Sequence, residues 1–405
     1  MTFLGAPRAM VVSMRNWFGA ARLPRALHRA GFEVSSLAYP NLLLGRSRYL
    51  AAQAFLPENG EDEALLAVAR AALIAQRPAI VVPTDDASVE LLQAVAAGAR
   101  RELPESDPLL VLLRDSLGDF SKHAVLRQRH GLARLAFDLG VRAPAYAVVH
   151  DLADARAFSA QHGLPVVLKA EASLAGMGVS ICKDLPALDK AVERWASQSE
   201  PAVAEGALVQ AYVTGRTAMR AVVAFRGRVL AGLSAIKLET HPAVTGPSAV
   251  VQFIEHAEMT ATAQQMIGAL GYSGFASLDF ILDDADRAHV IELNSRPTPI
   301  CHLGEHLGLD LCGRLWRALQ GEVDQDADPR NLPQKIALFP QEWVRDQQSP
   351  HFADSFHDVP WDEPDLIEGF VTLARGHMRW NQWDFQEQRR ERLRELLTRL
   401  DAANS

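Results

Sequence analysis

Asp279, Glu292, Asn294 and Arg296 form the most chemically suggestive set in this 405-residue chain. They lie in Gly274 to Pro297, which reads GFASLDFILDDADRAHVIELNSRP. Two β-prone runs, Phe275 to Leu282 and His289 to Leu293, flank the polar turn DDADR, the pattern of an antiparallel hairpin. A turn centred between Ala285 and Asp286 puts Asp279 opposite Glu292. Like charges across a ladder repel, and a bound cation supplies the reason for such a pairing. Asn294 falls on the same face and adds an amide oxygen. Three oxygen donors with room for water suit Mg²⁺, which takes few carboxylates and completes its shell with water and phosphate oxygens. Arg296 comes next on that face, where it can meet the phosphate itself. The plainer alternative is a surface hairpin with solvated charges.

Composition bounds what can position these groups. The chain is long enough for two or three domains. Hydrophobic content of 48%, charged content of 22% and a net charge of −8 describe a globular protein that attracts neither nucleic acid nor an anionic membrane. No apolar run reaches bilayer length, and the N-terminus lacks the apolar core of a signal peptide. Cys182, Cys301 and Cys312 form no CxxC pair, so a reducing, cytoplasmic setting is expected, without disulfides or zinc.

Residues 1–115 alternate strand and helix. Strands are expected at Ala9 to Ser13, Phe32 to Leu37 and Ala79 to Val82, with helices at Leu23 to Ala30, Glu61 to Gln76 and Ala87 to Arg101. This order implies a parallel sheet with helices on its faces. No GxGxxG succeeds the first strand, so dinucleotide binding is not supported. The strand tips at Arg15 to Gly19 and Thr84 to Asp86 are where such sheets place ligands; a purely scaffolding domain is the alternative.

Residues 102–121 read as a polar, proline-containing connection. A helix comes next, with Lys122 near its start. The strand Leu164 to Ala170 carries Lys169 among apolar neighbours, and a buried lysine wants an anionic partner. The small-residue loop Ser173 to Gly178, with Gly176, can close over phosphates. Ala207 to Val213 reads as a strand, and Met219 to Phe225 with Arg228 to Leu233 as a hairpin. His302 and His306, four apart, form half a metal site if helical, with substrate contact or plain packing as the preferred reading. The tail, Gln386 to Leu400, is a charged helix with Leu393, Leu396, Leu397 and Leu400 on one face, to be packed on the body or on a second subunit of a homodimer.

Lys122, Lys169, the Ser173 to Gly178 loop, VQAYVTG and DF…ELNSR stand in the order and with the gaps of the ATP-grasp superfamily, which the chain resembles over about residues 116–320. That superfamily includes biotin carboxylase, D-alanine–D-alanine ligase and carboxylate–amine ligases. The resemblance implies an α/β and α+β multidomain fold. A Rossmann-like pre-ATP-grasp domain would span 1–115. A two-lobed ATP-grasp domain, with ATP between its lobes, would span 116–325, the smaller lobe about 116–206 and the larger about 207–325. A small extension would span 326–405.

The resemblance also implies roles. Lys122 and Lys169 would hold ATP phosphates under a lid containing Ser173, Gly176 and Gly178. Gln210, Ala211, Tyr212 and Val213 would line the adenine site, the backbone of Ala211 and Val213 reading the base edge. Asp279, Glu292 and Asn294 would hold Mg²⁺, or Mn²⁺ in its place. Arg296 and Lys237 would face the transferred phosphate. Arg220, where relatives often carry an acid, would meet a substrate anion, with His302 a second substrate contact. Many relatives have a glutamate where Ala211 or Tyr212 stands, and the lid here has alanine and methionine in place of glycine. The implied activity is an ATP-dependent carboxylate–amine ligase. Activation of bicarbonate or another small acid, and a non-catalytic ATP-binding module, are the alternatives.

Overall fold

The computed structural model describes residues 6–59, 61–170, 179–197, 206–241, 243, 246–322, 334–374, 390 and 392–401. Four parallel strands open the chain: β1 (Arg8–Ser13), β2 (Glu33–Ala38), β3 (Ala52–Phe55) and β4 (Ile80–Pro83), in the order β3-β2-β1-β4. Helices α1 (Leu23–Arg29), α2 (Asp62–Gln76) and α3 (Asp86–Arg100) connect or succeed them. The edge strand β3, AQAF, has no counterpart in the sequence reading, because it is short and largely exposed and carries no apolar run.

Residues 102–121 are not the polar connection expected from the sequence. They contain α4 (Pro108–Leu117), whose Leu109, Leu110 and Leu113 enter the core. Pro104 and Pro108 suggest a break, but proline is tolerated at a first helical position. The Asp107 side chain caps that helix by accepting from the Leu109 N–H. Two further helices, α5 (His123–Arg127) and α6 (Arg129–Asp138), meet at a break at Gln128.

A smaller antiparallel sheet holds β5 (Tyr146–Val149), β6 (Val166–Ala170), β7 (Val179–Cys182) and β8 (Ala207–Ala211), in the order β5-β8-β6-β7. Helices α7 (Leu152–His162) and α8 (Leu185–Ala196) cover it, packing with Phe158, Leu188 and Trp195. The expected lobe boundary near residue 206 gives β8 to the larger lobe. Its ladder bonds run instead to β5 and β6, so the smaller lobe extends to Ala211.

Seven strands make the larger sheet: β9 (Arg216–Phe225), β10 (Arg228–Thr240), β11 (Ser248–Ile254), β12 (Gly274–Leu282), β13 (Ala288–Asn294), β14 (Lys335–Ala337) and β15 (Phe356–His357). Their order is β13-β12-β9-β10-β11-β14-β15, so residues from the C-terminal extension lengthen this sheet. Arg226 and Gly227, at φ 49° and 78°, turn β9 into β10 with the positive dihedrals of a tight hairpin. One face of the sheet packs under α9 (Ala257–Ala269) through Met259, Ala263 and Met266. The other shares one continuous core with the N-terminal sheet and α10 (Leu311–Leu319).

Gly118, at φ +88°, ends α4 and turns the chain toward α5. A Cβ there would lie 2.6 Å from the Gly271 carbonyl oxygen and 2.7 Å from Tyr272 Cα. Gly118→Ala therefore strains both backbone and packing, and we expect thermal unfolding to report a loss of about 2 kcal/mol or more.

Candidate functional site

The β12–β13 hairpin builds the centre of the site. Near its turn Leu282 pairs with Ala288 and Phe280 with Val290. A register shift between Asp279 and Phe280 then leaves Ile291 as the extra residue, so that Asp279 faces Glu292 and Ser277 faces Asn294. Such a bulge re-aims the side chains beyond it. Without it, the pairing set by the turn would oppose Asp279 to Ile291 and send Glu292 to the other face. Asp279, Glu292 and Asn294 thus share a face as expected, although the turn is centred on Ala285 and not between Ala285 and Asp286, and the bulge restores the pairing; Leu278 and Leu293 fill the core behind it.

Each charged group here has a partner from another element. Lys237 on β10 sits 3.0 Å from Asp279 Oδ2. Arg129, at the start of α6, lies 3.8 Å from Glu292 Oε1. Arg296 donates to Asp86 at 2.8 Å and to Asn294 Oδ1 at 3.1 Å. Burial pushes the Asp279 carboxyl above its ordinary range despite Lys237. Burial acts the same way on Asp86, but Arg296, Arg390 and Arg15 outweigh it and hold that carboxyl far down. Asp279 Oδ1 is buried and accepts no hydrogen bond among the described residues. An unpartnered carboxylate oxygen beside Glu292 and an amide oxygen is a hard donor set, and these residues fit Mg²⁺.

Lys169 is 7% exposed and donates to the Ile291 carbonyl at 3.1 Å, spanning from the smaller sheet to the bulge. Burial lowers its pKa to about 8, against the pull of Glu292. It lines a cleft with Glu292, Asn294, Asp86 and four arginines, Arg127, Arg129, Arg390 and Arg394. Five cations and two carboxylates line it, and even with Glu90 and Asp401 pairing three of the arginines from behind, positive charge is in excess, which favours a polyanion.

Lys122 is not brought into this cleft: it precedes α5, and its neighbouring charge is Asp119. Arg127 and Arg129, at the break between α5 and α6, stand in the cleft instead. Arginines in a run such as LRQRHG read as ordinary helix-surface charge, so only the break at Gln128 reveals them. Ser173, Gly176 and Gly178 lie outside the described residues.

At the end of β8 the Gln210 side chain is buried and Tyr212 is exposed. The Ala211 N–H is already bonded to the Ala145 carbonyl at 2.9 Å, and the Tyr212 N–H to that of Pro165 at 3.3 Å. The Val213 N–H has no partner among the described residues. The Ala211 N–H is therefore not free to meet a base edge.

Two expected substrate contacts are corrected. Arg220 pairs with Leu278 and with Ser234, which puts it on the sheet face opposite Asp279. It is 1% exposed and donates to Ser234 Oγ at 2.9 Å. Gly232 gives it space, since a Cβ there would lie 2.8 Å from the guanidinium. Arg220 is thus a core group, placed one residue out of phase with the site. His302 is bonded to Asp358 at 2.8 Å, and Asp358 also faces Arg22 at 3.7 Å. Burial lowers the His302 pKa, and its bond fastens the extension to the larger lobe, with Arg22 of the N-terminal domain facing the same carboxylate. His306 stacks on Phe356, with ring centroids 3.8 Å apart, so the two histidines share no metal. Among the described residues no cluster of three His, Cys, Asp or Glu side chains could hold an ion. Cys182, Cys301 and Cys312 are free and buried.

The protonated form of Lys169 is the one that attracts an anion. We therefore expect phosphate-ligand affinity to be full below about pH 7 and to fall as pH rises through about 8. Titration calorimetry across pH 6.5–9.5, roughly a pH unit and a half either side of that value, reads this directly. The Lys169→Met variant should bind more weakly and lose the pH dependence.

Among curated protein sequences none matches this chain. Residues 138–299 match the family described as ATP-grasp domain. In fold, the chain is similar to N5-carboxyaminoimidazole synthetase from Staphylococcus aureus complexed with ADP, at 11% identity and TM-score 0.63, over 91% of this chain and 99% of that one. It is similar to a biotin carboxylase complex from Campylobacter jejuni at 16% identity and TM-score 0.61, over 79% and 72% of the two chains. It is also similar to L-amino acid ligase from Bacillus licheniformis at 17% identity and TM-score 0.55, over 79% and 78%. Residues 138–299, which carry most of both antiparallel sheets and the oxygen-donor face of the β12–β13 hairpin, thus match an ATP-grasp domain, and the chain as a whole is similar in fold to the solved proteins just named.

Proposed function

We propose that this chain is an ATP-dependent carboxylate–amine ligase that forms an amide through an acyl phosphate and releases ADP and phosphate. The observation that carries the reading is the cationic cleft ending on the face of Asp279, Glu292 and Asn294, with Lys237 and Arg296 set against it. A carboxylate is a poor electrophile. Its oxygen attacks the γ-phosphorus and ADP leaves; the amine then attacks the acyl carbon, phosphate leaves, and the amine gives up a proton. Phosphoryl transfer needs positioning and charge neutralisation more than a protein nucleophile. Arg129 and Lys169 hold the polyphosphate, while Lys237 and Arg296 face the transferred group. Mg²⁺ held by Asp279, Glu292 and Asn294 would neutralise phosphate charge.

The tips of β1 and β4 border this centre. Arg15 is buried and acts electrostatically on Asp85 and Asp86. Asp85 caps α3 and accepts from the Met14 N–H at 2.9 Å. The similarity to an L-amino acid ligase supports amino acids as substrates. Similarity to a biotin carboxylase and to N5-carboxyaminoimidazole synthetase supports a second reading, in which bicarbonate is the acid. No helix among the described residues is long and apolar enough to cross a membrane, and the substrates are small molecules in either reading.

ADP release is measured with MgATP against pools of amino acids, small carboxylates and bicarbonate. ADP formed only with one acid and one amine together establishes the ligase and names both. Dependence on bicarbonate moves the activity to the second reading. Tight ATP binding with no ADP in any mixture defeats both in favour of a binding module. Glu292→Gln is expected to reduce ADP formation by about 100-fold or more, the scale of losing one electrostatic stabiliser.

A further inference from the structure

The tail helix, residues 392–401, packs on the body of its own chain. Leu393 joins the main core, and Leu397 packs with Ala94 and Ala97 of α3. Its polar side is fastened too. Arg390 makes a bidentate pair with the buried Glu90, through Nε at 2.9 Å and Nη2 at 3.0 Å. Arg394 Nε donates to Glu90 at 2.7 Å. Arg392 pairs with Asp62 at 3.2 Å, and Asp401 pairs with Arg127. Arg127, Arg390 and Arg394 all line the cleft of Lys169 and Glu292. The end of the chain thus forms one wall of that cleft.

Arg390 and Arg394 do different things there. Arg390 is 5% exposed, and its Nε and Nη2 are both spent on Glu90. Arg394 is 25% exposed and gives Glu90 only its Nε–H. A guanidinium carries five N–H donors, and the terminal nitrogens of Arg394 have no partner among the described residues. Glu90 holds this guanidinium in place without using it up. Neither carboxylate of the cleft is paired with it: Asp86 bonds Arg296, and Glu292 lies near Arg129.

We propose that the tail helix is part of the nucleotide site, with Arg394 binding the polyphosphate and Arg390 and Glu90 positioning it. This rests on the cleft being an ATP site. The ligand class comes from chemistry: a planar fork suits phosphate oxygens, and the cleft's surplus positive charge suits several phosphates better than one carboxylate.

The test is equilibrium binding of ATP, ADP and adenosine, with Mg²⁺, to the full-length wild type and to Arg394→Gln. Glu90 keeps Arg390 in that variant, so its melting temperature should stay near that of wild type. ATP affinity should fall about tenfold, the scale of one charge-assisted hydrogen bond, with adenosine affinity unchanged. Unchanged ATP affinity, or an equal loss for ATP and adenosine, overturns the proposal and leaves the ATP site standing. A wild type that binds no ATP removes the site itself. A measurement on the wild type covers a variant that fails to fold: phenylglyoxal labelling of Arg394, read by mass spectrometry, should be suppressed by MgATP and not by adenosine. Labelling unaffected by MgATP overturns the proposal as well.

Discussion

Two carboxylates that repel each other are held face to face across the β12–β13 ladder, and the other charges of the site are arranged around that pair. Asp279 and Glu292 meet because the extra residue Ile291 corrects a register that the turn alone would have set one residue away. Opposed like charges weaken a ladder, and partial burial raises the cost. Lys237 and Arg129 offset it, one cation for each acid, from β10 and from α6. Lys169, from the smaller sheet, bonds the carbonyl of the bulge residue itself. Three separate elements therefore converge on one local irregularity. None of them donates to Asp279 Oδ1, which has no hydrogen-bond partner among the described residues.

The N-terminal sheet is tied to this centre. Asp85 is held by the start of α3 and by the Met14 N–H, and the adjacent Asp86 receives Arg296. A hydrophobic core continuous between this sheet and the larger one keeps that ion pair in register. A half-buried pair of this kind adds little stability by itself. It adds a fixed position for Arg296, which also holds the Asn294 amide oxygen. The C-terminal residues repeat the logic at α3, where Glu90 gathers Arg390 and Arg394. Asp358 likewise gathers His302 and Arg22. Parts of the chain distant in sequence are thus joined by two buried carboxylates, Glu90 and Asp358, that each hold more than one cation or donor.

Elements whose pattern is local were legible in the order of amino acids alone. Parallel β1, β2 and β4 come from short apolar runs alternating with helices, and the hairpin comes from two β-prone runs around DDADR. Strand alternation put Glu292 and Asn294 on one face, whereas Asp279 joins them only through the bulge at Ile291, and the apolar setting of Lys169 marked it as a charge needing a partner. Whatever depends on which elements meet was settled by packing instead. Ladder bonds, which involve backbone and no particular side chain, assigned β8 to the smaller sheet. A phase of one residue on β9 sent Arg220 to the far face, although its neighbours on either side read alike. Lys122 and Arg129 are both cations near a helix start, and only the break at Gln128 separates the one that faces the cleft from the one that does not. Arg394 is remote in sequence from every group on the larger sheet's face, and no local pattern announces a contact made across that distance. Periodicity and side-chain direction are properties of a few adjacent residues and can be read from them. Convergence of distant charges is a property of packing, and only the folded chain contains it.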